Sequence, residues 1–243
     1  MIEKLQALDI KKQYNSNFAL ECSIEVKKGP LYTIVGPNGS GKSTLLRILG
    51  LIEPPDSGKV IYHNEGISLL NPDKDIEVRR KAVLVATRAS LFSETVYENI
   101  AYGLRLRKVG KKEIKERVTE TLNNVKLSGK EACNANELSS GEAQRLALAR
   151  ALAVDPDIFL LDEPTASLDP DNTRVIEEII STLRSNSEKM IIMVTHNLYQ
   201  AKSLSDFIIF MYKGKAVEFS NAEAFFKKPS TELARKFVFG EVY

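Results

Sequence analysis

One short stretch, residues 36–43, limits what this chain can fold into more than any other part of its sequence. It reads Gly-Pro-Asn-Gly-Ser-Gly-Lys-Ser and fits the phosphate-binding pattern G-x-x-x-x-G-K-[ST]. Residues 31–35 before it are strand formers, and apolar residues within 45–49 recur at helical spacing. A glycine-rich turn between a strand and a helix directs backbone N–H groups and the positive helix end at an anion. In this context the pattern indicates a phosphate site rather than an ordinary turn.

The pattern also assigns roles to single side chains. The Lys42 amine is predicted to reach the β- and γ-phosphates of a nucleotide, and the Ser43 hydroxyl to bind Mg²⁺. The predicted nucleotide-binding residues of this stretch are contiguous: Gly36, Pro37, Asn38, Gly39, Ser40, Gly41, Lys42, Ser43 and Thr44.

Composition and charge narrow the class of protein. The 243 residues are 43% hydrophobic and 27% charged, which are ordinary values for a globular chain with one sizeable core. A net charge of +2 gives no reason to expect a nucleic-acid-binding surface. No apolar run approaches the roughly 18 residues that cross a bilayer, and the chain does not open on a signal peptide. We therefore expect a cytoplasmic protein, unless another chain holds it at a membrane.

Strand and helix patterns alternate along most of the chain. The runs 158–161 and 190–194 are continuously apolar, as in parallel strands buried on both faces, and helical spacing separates them. We predict one α/β domain of the P-loop NTPase type, with a mainly parallel sheet and an N-terminal antiparallel β subdomain. This core takes residues 1–92 and 149–243. Helical patterns replace strand patterns from about 93 to 148, which predicts an inserted helical subdomain there.

Reactive side chains follow two of the predicted strands. Asp162 is predicted to hold Mg²⁺ together with Ser43, and Glu163 to act as general base. His196 is a candidate phosphate sensor or orienter of water, whereas the other histidine, His63, is expected in a loop. Alone, an acidic pair is more often a helix cap and a single histidine more often structural. Because ligands bind beyond the carboxyl ends of parallel strands, we expect these residues to converge on the phosphate loop.

A second helix start carries a polar motif. Residues 138–142 read Leu-Ser-Ser-Gly-Glu before an apolar helical pattern. One interpretation is a capping box, with Ser139 as N-cap and Glu142 as its reciprocal partner. The other is an anion-binding helix start at which Gly141 allows close approach. The two interpretations are compatible.

An aromatic residue, Tyr14, ends the strand predicted over residues 8–14. Its ring can stack on a nucleotide base, although such a residue taken alone is more often an ordinary packing residue. Tyr14 is therefore kept among the candidate nucleotide-binding residues, with both interpretations open.

Together these motifs closely resemble those of the ATP-binding cassette family, specifically the nucleotide-binding subunits of ABC transporters. The likeness spans nearly the whole chain. It assigns the Walker A motif to residues 36–43, the signature motif to 138–144, and the Walker B motif to 158–162, followed by Glu163. It assigns the D-loop to Ser167, Leu168 and Asp169. The switch histidine is His196, and the aromatic residue that stacks on adenine is Tyr14. The resemblance implies an ATP hydrolase that uses ATP and Mg²⁺.

The resemblance also implies that two copies close head to tail. Each composite site then combines residues of both copies. Ser139, Gly141 and Glu142 of one copy would face the γ-phosphate held by Gly39, Lys42 and Ser43 of the other.

A membrane partner is implied in the same way. Relatives dock a transmembrane permease subunit on the segment that corresponds to residues 87–100, and act indirectly with a substrate-binding protein, without nucleic acid. Phe92, Val96, Tyr97 and Ile100 would be natural contacts, although Val96 and Ile100 can also belong to the helical core. The expected location is cytoplasmic and peripheral, on the inner face of the membrane.

The direction of transport and the substrate depend on weaker features. The cassette is not fused to a membrane domain, and the tail 225–243 resembles the short ending of importer subunits, of tungstate or phosphate type. Alternatives are an exporter subunit and a soluble ABC ATPase that acts on nucleic acid or the ribosome, although such relatives usually carry tandem cassettes or long insertions. A regulatory module that does not hydrolyse ATP is opposed by the presence of both Glu163 and His196.

The chain departs from the family pattern most clearly at Thr87. Ser140 and Glu142 are mild signature variants, but Thr87 occupies the position of the Q-loop glutamine, and no glutamine lies between Gln13 and Gln144. A threonine hydroxyl is too short to span the same gap, so Thr87 is assigned to the metal site through a bridging water. We predict that Thr87→Gln changes ATP hydrolysis or its coupling to the partner. ATPase and transport assays test this, and unchanged rates in both would contradict a role for the position.

Overall fold

The chain folds into two units, and the apolar strands of the first unit form two sheets. The computed structural model describes residues 1–15, 18–65, 67–69, 75–185 and 188–241. The first unit comprises Met1–Leu84, Asp157–Glu163 and Arg184–Tyr243, and the second comprises Val85–Pro156 and Pro164–Leu183. The subdomain boundaries expected from the sequence remain a prediction.

The N-terminal sheet is antiparallel. It has the order β2-β1-β4-β5 and consists of β1 (Lys4–Asn15), β2 (Phe18–Lys27), β4 (Ser57–Asn64) and β5 (Ile67–Leu69). Buried and more exposed residues alternate along β2, where Leu20, Cys22, Ile24 and Val26 are buried. The prediction that His63 lies in a loop is wrong. Backbone pairing of β1 with β4 continues as far as Lys4 and His63, which a local pattern cannot reveal.

The second sheet is mainly parallel, as predicted. Its order is β10-β9-β3-β8-β7-β6, and its strands are β3 (Leu31–Val35), β6 (Ala82–Val85), β7 (Ile158–Asp162), β8 (Met190–Val194), β9 (Phe207–Tyr212) and β10 (Lys215–Asn221). Strand β3 pairs in parallel with β8 and β9, and β7 pairs in parallel with β8. Strands β9 and β10 pair antiparallel and form a hairpin. The predicted α/β fold with its N-terminal antiparallel sheet is therefore confirmed.

Both faces of the parallel sheet are covered. Helix α1 (Lys42–Leu49) packs in one apolar cluster with Ile34 and Ile192. The short helix α2 (Ile76–Arg79) adds Val78 to this cluster. The C-terminal helices α7 (Leu198–Leu204), α8 (Ala222–Lys227) and α9 (Glu232–Val238) contribute to the other, which contains Val35 and Phe210. Neighbouring residues of β3 thus enter opposite clusters. Two-sided burial explains why these strands are continuously apolar in the sequence.

The second unit is helical. Its helices are α3 (Val96–Leu106), α4 (Lys111–Asn124), α5 (Ser140–Ala153) and most of α6 (Pro170–Ser185), with a 3₁₀ turn at Ala135–Glu137. Helices α3, α4 and α5 pack against one another. Val96 and Ile100 are fully buried, so the core interpretation is correct for both, and they offer no surface to a partner. Among the residues that the structure describes, no helix is long and apolar enough to cross a membrane.

A buried carboxylate fastens the start of α9 to β10. Glu218 in β10 is only 6% exposed. Its carboxylate accepts hydrogen bonds from the backbone N–H groups of Ser230 and Thr231 and from the Thr231 hydroxyl, all between 3.0 and 3.1 Å. Burial would raise the pKa of Glu218, but these hydrogen bonds outweigh it and hold the pKa below its ordinary value.

We predict that Glu218→Ala lowers the free energy of unfolding by about 2 kcal/mol at pH 7, because the part-buried hydrogen bonds from Ser230 and Thr231 lose their charged acceptor. The folded-state pKa lies below the unfolded value of about 4.3. The stabilisation is therefore complete above that pH and disappears as pH falls through the folded-state pKa. Urea titrations at pH 7 and in steps toward acid should show the gap between wild type and variant closing.

The matched control is Glu223→Ala, which removes an exposed ion pair with Lys227 on α8. It should change stability little, because exposed ion pairs contribute little. A loss in Glu218→Ala no larger than in this control would contradict the assignment of Glu218 as a structural anchor.

Candidate functional site

The phosphate loop leaves β3 and ends where α1 begins, as predicted. Gly36, Gly39 and Gly41 have φ values of 149°, 76° and 99°, in the region that favours glycine. A Cβ at Gly36 would lie 2.0 Å from the backbone oxygen of Met211, so no larger residue fits. A Cβ at Gly39 would meet no atom within 4 Å, so the chain is open beside this residue.

Lys42 is held inside its own loop. Its amine donates hydrogen bonds to the carbonyl oxygens of Gly36 at 2.8 Å and Pro37 at 2.9 Å. Burial lowers the pKa of Lys42, against the opposing influence of Glu163 and Asp162. The phosphate contact of this amine, expected from the sequence, stays a prediction.

A buried hydroxyl of the loop provides a test of fit for a nucleotide. Among the described residues, the Ser40 Oγ atom is buried and has no hydrogen-bond partner. The Ser40 backbone is itself tied down, because its carbonyl accepts from the N–H of Gly214 at 3.1 Å. An unpaired buried hydroxyl costs free energy, and a phosphate oxygen would supply the missing partner. The loop therefore fits a phosphate-bearing ligand.

Two oxygen-bearing side chains that suit a divalent cation lie side by side. The Ser43 hydroxyl donates to Oδ1 of Asp162 at 2.8 Å. Asp162 ends β7, and burial raises the pKa of its carboxyl although the Ser43 hydrogen bond opposes this. A hydroxyl paired with a carboxylate suits the oxygen preference of Mg²⁺. The pair predicted from the sequence is thus brought together.

Glu163 and His196 also meet. Glu163 Oε2 lies 2.8 Å from Nδ1 of His196, a hydrogen bond in the tautomer that carries a proton on Nδ1. The Glu163 N–H donates to the carbonyl of Val194 at 2.9 Å, which fixes the backbone across β7 and β8. Glu163 has a φ of 48°, a left-handed conformation that is strained for a residue with a side chain. Strain of this kind clusters at functional sites.

Tyr14 lies half-exposed at the end of β1. Its hydroxyl donates to Glu53, and the guanidinium of Arg47 lies 3.4 Å from the same oxygen. The Tyr14 ring centroid is 6.4 Å from that of Phe18. A Cβ at Gly41 would lie 3.0 Å from the Phe18 ring, so the sequence analysis missed an aromatic neighbour of the loop. Phe18 is the first residue of β2 and belongs to no motif, so its local sequence does not indicate a place beside the loop.

The predicted signature residues begin α5 in the second unit. The capping box is formed, with the Ser139 hydroxyl accepting from the Glu142 N–H at 3.3 Å and the Ser139 N–H donating to Glu142 at 3.0 Å. The Glu142 carboxylate also pairs with Lys130, and these hydrogen bonds lower its pKa. A Cβ at Gly141 would lie 2.2 Å from the Asn172 side chain, so the close approach at this glycine is to a residue of the same chain.

Thr87 is half-buried and belongs to the second unit, whereas Asp162 belongs to the first. Its link to the metal stays a prediction. The preceding residue is tethered, because the buried amide of Gln144 donates to the Ala86 carbonyl at 3.2 Å. The sequence analysis did not single out Gln144, although a polar residue on an apolar helix face is a usable signal.

One aromatic of the segment 87–100 is exposed. Phe92 is 39% exposed, its ring centroid is 4.7 Å from that of Tyr102, and the Arg150 guanidinium lies 4.7 Å above it. Tyr97 is half-buried. Of the four residues expected to contact a partner, Phe92 and Tyr97 therefore remain.

Comparison with known proteins extends these observations. Residues 20–166 match the family model described as ABC transporter. A phosphate import ATP-binding protein, PstB 2, of Natronomonas pharaonis is 38% identical over 229 residues, covering 90% of this chain and 80% of that protein. A probable anion import ATP-binding protein of Haloferax volcanii is 37% identical over 235 residues, covering 91% and 81% respectively.

Two solved structures are also similar to this chain. A dimeric ATP-binding cassette in a post-hydrolysis state, bound to ADP and Pi, has a TM-score of 0.79 at 28% identity and covers 90% of this chain and 98% of its own. The protein cbiO1 of Clostridium perfringens, part of the cbiONQ transporter complex, has a TM-score of 0.81 at 25% identity, with both chains fully covered.

The loop glycines differ in what surrounds them, and this yields a prediction on stability without nucleotide. Gly39→Ala should cost about 1 kcal/mol, the penalty for a side chain in the left-handed region, because the space beside it is open. Gly36→Ala should cost about 3 kcal/mol or more, because its Cβ would collide with backbone. Urea denaturation of both variants measures this, and equal losses would contradict the close approach at Met211.

Proposed function

This chain belongs to the ABC transporter family, and on that premise we propose that it powers a membrane importer of an oxyanion. It is an ATP hydrolase and the ATPase subunit of a transporter. The finer proposal is carried by the 38% identity, over 90% of the chain, to a phosphate import ATP-binding protein. The probable anion import ATP-binding protein adds a second relative of the same kind.

The nucleotide is proposed to bind at the phosphate loop of the first unit. Loop N–H groups and the Lys42 amine would hold the β- and γ-phosphates, and the unpaired Ser40 hydroxyl would gain an acceptor. Ser43 and Asp162 would hold Mg²⁺, whose charge offsets that of the transferred phosphoryl group. The tethered Tyr14 ring would receive the adenine base.

Glu163 is the proposed general base for hydrolysis. Its carboxylate would take the proton of the attacking water as the water approaches the γ-phosphate. The contact between Glu163 and His196 at 2.8 Å supports this role, since it fixes the direction of the carboxylate. His196 would orient Glu163 and sense the phosphate.

A second copy of the chain is proposed to complete each site. The cap at the start of α5 uses the N–H of Glu142, and a helix start carries four such groups, so it can also receive an anion. Ser139, Gly141 and Glu142 of one copy would then face the γ-phosphate bound by the other. The dimeric state of the post-hydrolysis cassette supports this arrangement.

We predict that Glu163→Gln lowers ATP hydrolysis by about a hundredfold or more and accumulates an ATP-bound dimer, because the amide keeps the geometry but cannot take a proton. Size-exclusion chromatography with light scattering, with ATP and Mg²⁺, measures the dimer. Glu120→Gln, at an exposed position of α4, is the control and should behave like wild type. A Glu163→Gln variant that binds ATP and stays monomeric would contradict the composite site.

A permease is the proposed membrane partner, and the chain is then a peripheral protein on the cytoplasmic face. We propose that the permease docks on residues 87–100, where Phe92 and Tyr97 remain accessible. A substrate-binding protein would act through the permease, and no nucleic acid is involved. Relatives named as import ATP-binding proteins support the importer over an exporter or a ribosome-associated ATPase.

Reconstitution tests the importer and its substrate class together. The chain is purified with its permease, placed in liposomes, and supplied with the binding protein of the same transporter. Phosphate or tungstate should stimulate ATP hydrolysis and enter the liposomes, whereas a neutral sugar should do neither. Stimulation by the sugar alone would overturn the oxyanion class, and movement of substrate in the opposite direction would overturn import.

A further inference from the structure

The hydroxyl of Tyr14 is held by two charged side chains. It donates to the Glu53 carboxylate, which also accepts from Nε of Arg47 at 3.0 Å, and Nη2 of Arg47 lies 3.4 Å from the Tyr14 oxygen. The Glu53 side chain is only 19% exposed. Burial would raise the pKa of Glu53, but the hydrogen bonds from Tyr14 and Arg47 lower it, so the carboxylate stays charged. Tyr14 thus differs from an exposed aromatic that turns freely.

Both tethering residues are fixed to the helix that begins at the phosphate loop. Helix α1 is eight residues long and starts at Lys42, and Arg47 lies in its last turn. The N–H groups of Ile52 and Glu53 both donate to the Arg47 carbonyl, at 3.0 and 3.3 Å. Nη2 of Arg47 also lies 3.4 Å from Oγ1 of Thr44, one turn earlier. One short helix therefore carries the phosphate-binding lysine at one end and the tether of Tyr14 at the other.

A second acidic residue fastens the same strand end. Asp56 accepts from the N–H of Gln13 at 2.8 Å and from the Lys12 amine at 2.9 Å, and its own N–H donates to Lys11 at 2.8 Å. Between Glu53 and Asp56 stand two prolines, whose rings restrict the backbone. We name residues 53–56 the strap. It binds the end of β1 through both of its carboxylates.

From this geometry we infer that Arg47 and Glu53 are positioning residues, which hold the Tyr14 ring as a base-stacking platform at a set distance from the phosphate loop. The inference rests on the proposed nucleotide site and adds to it a reason for tyrosine. A phenylalanine ring would stack equally well, but only the hydroxyl can reach the strap. Holding the ring in place before binding removes the cost of ordering it when the nucleotide arrives.

Calorimetric titration with Mg²⁺-ADP and with Mg²⁺-tripolyphosphate, which has no base, tests the inference. Tyr14→Phe and Glu53→Leu should each weaken ADP binding by about three- to tenfold, the range expected for ordering one side chain. Tripolyphosphate should bind both variants as it binds wild type. The double variant should be no weaker than either single variant, because both remove the same hydrogen bond. Glu53→Gln, which keeps an acceptor for the hydroxyl, should restore most of the ADP affinity.

Controls separate the possible failures. Glu21→Leu removes an exposed ion pair with Lys11 on the same sheet and should bind ADP like wild type. Equal loss of ADP and tripolyphosphate affinity in Glu53→Leu would mean a general structural role and would overturn the inference. The inference would also be overturned if Tyr14→Phe and Glu53→Leu bound ADP with wild-type affinity while Tyr14→Ala bound ADP weakly. If wild type hydrolyses no ATP, the proposed function itself fails, whatever these variants do.

Discussion

The phosphate loop depends on the close approach of two backbones, at Gly36 and Met211. Strand β3 runs parallel to β9, with Val35 opposite Phe210, so the chain leaving β3 passes directly beside the last residues of β9. The Met211 carbonyl occupies the place where a side chain at residue 36 would begin. The loop can only turn away through conformations that glycine allows. Its course is therefore set by the sheet, before any ligand binds.

Two ionisable groups at this edge of the sheet are buried, although burial disfavours their charged forms. The Lys42 amine and the Asp162 carboxyl are both largely buried, and burial favours the neutral form of each. Loop carbonyls stabilise the amine, and the Ser43 hydroxyl stabilises the carboxylate. A triphosphate with Mg²⁺ would bring the opposite charges that both groups lack. The polar groups of the site are thus only partly compensated within the chain itself.

The sequence correctly predicted the structural features that depend on local interactions. The phosphate loop, the buried strands and the capping box at Ser139 each involve residues close in sequence, or burial on both faces of a sheet. His63 was misplaced because its strand is defined by pairing with Lys4, far along the chain.

Residues that act through tertiary contacts were missed for the same reason. Arg47 sits in an ordinary amphipathic helix, Glu53 in an ordinary turn, and Gln144 on a helix that carries several other polar residues. Their spacing in the sequence does not identify Tyr14 as the partner of Arg47 and Glu53, or Ala86 as the partner of Gln144. Gly141 was linked to an anion, yet the atom nearest to its missing side chain belongs to Asn172. A sequence shows where a glycine is needed but not which neighbour requires it.

The shortness of α1 has a consequence for how this protein can vary. Each residue of an α-helix turns the chain by about 100° and advances it by 1.5 Å. An extra residue between Lys42 and Arg47 would swing the guanidinium to another side of the helix, away from Glu53, while leaving the loop before it intact. The number of residues between Lys42 and Arg47 is therefore constrained in its own right, apart from the identity of each side chain.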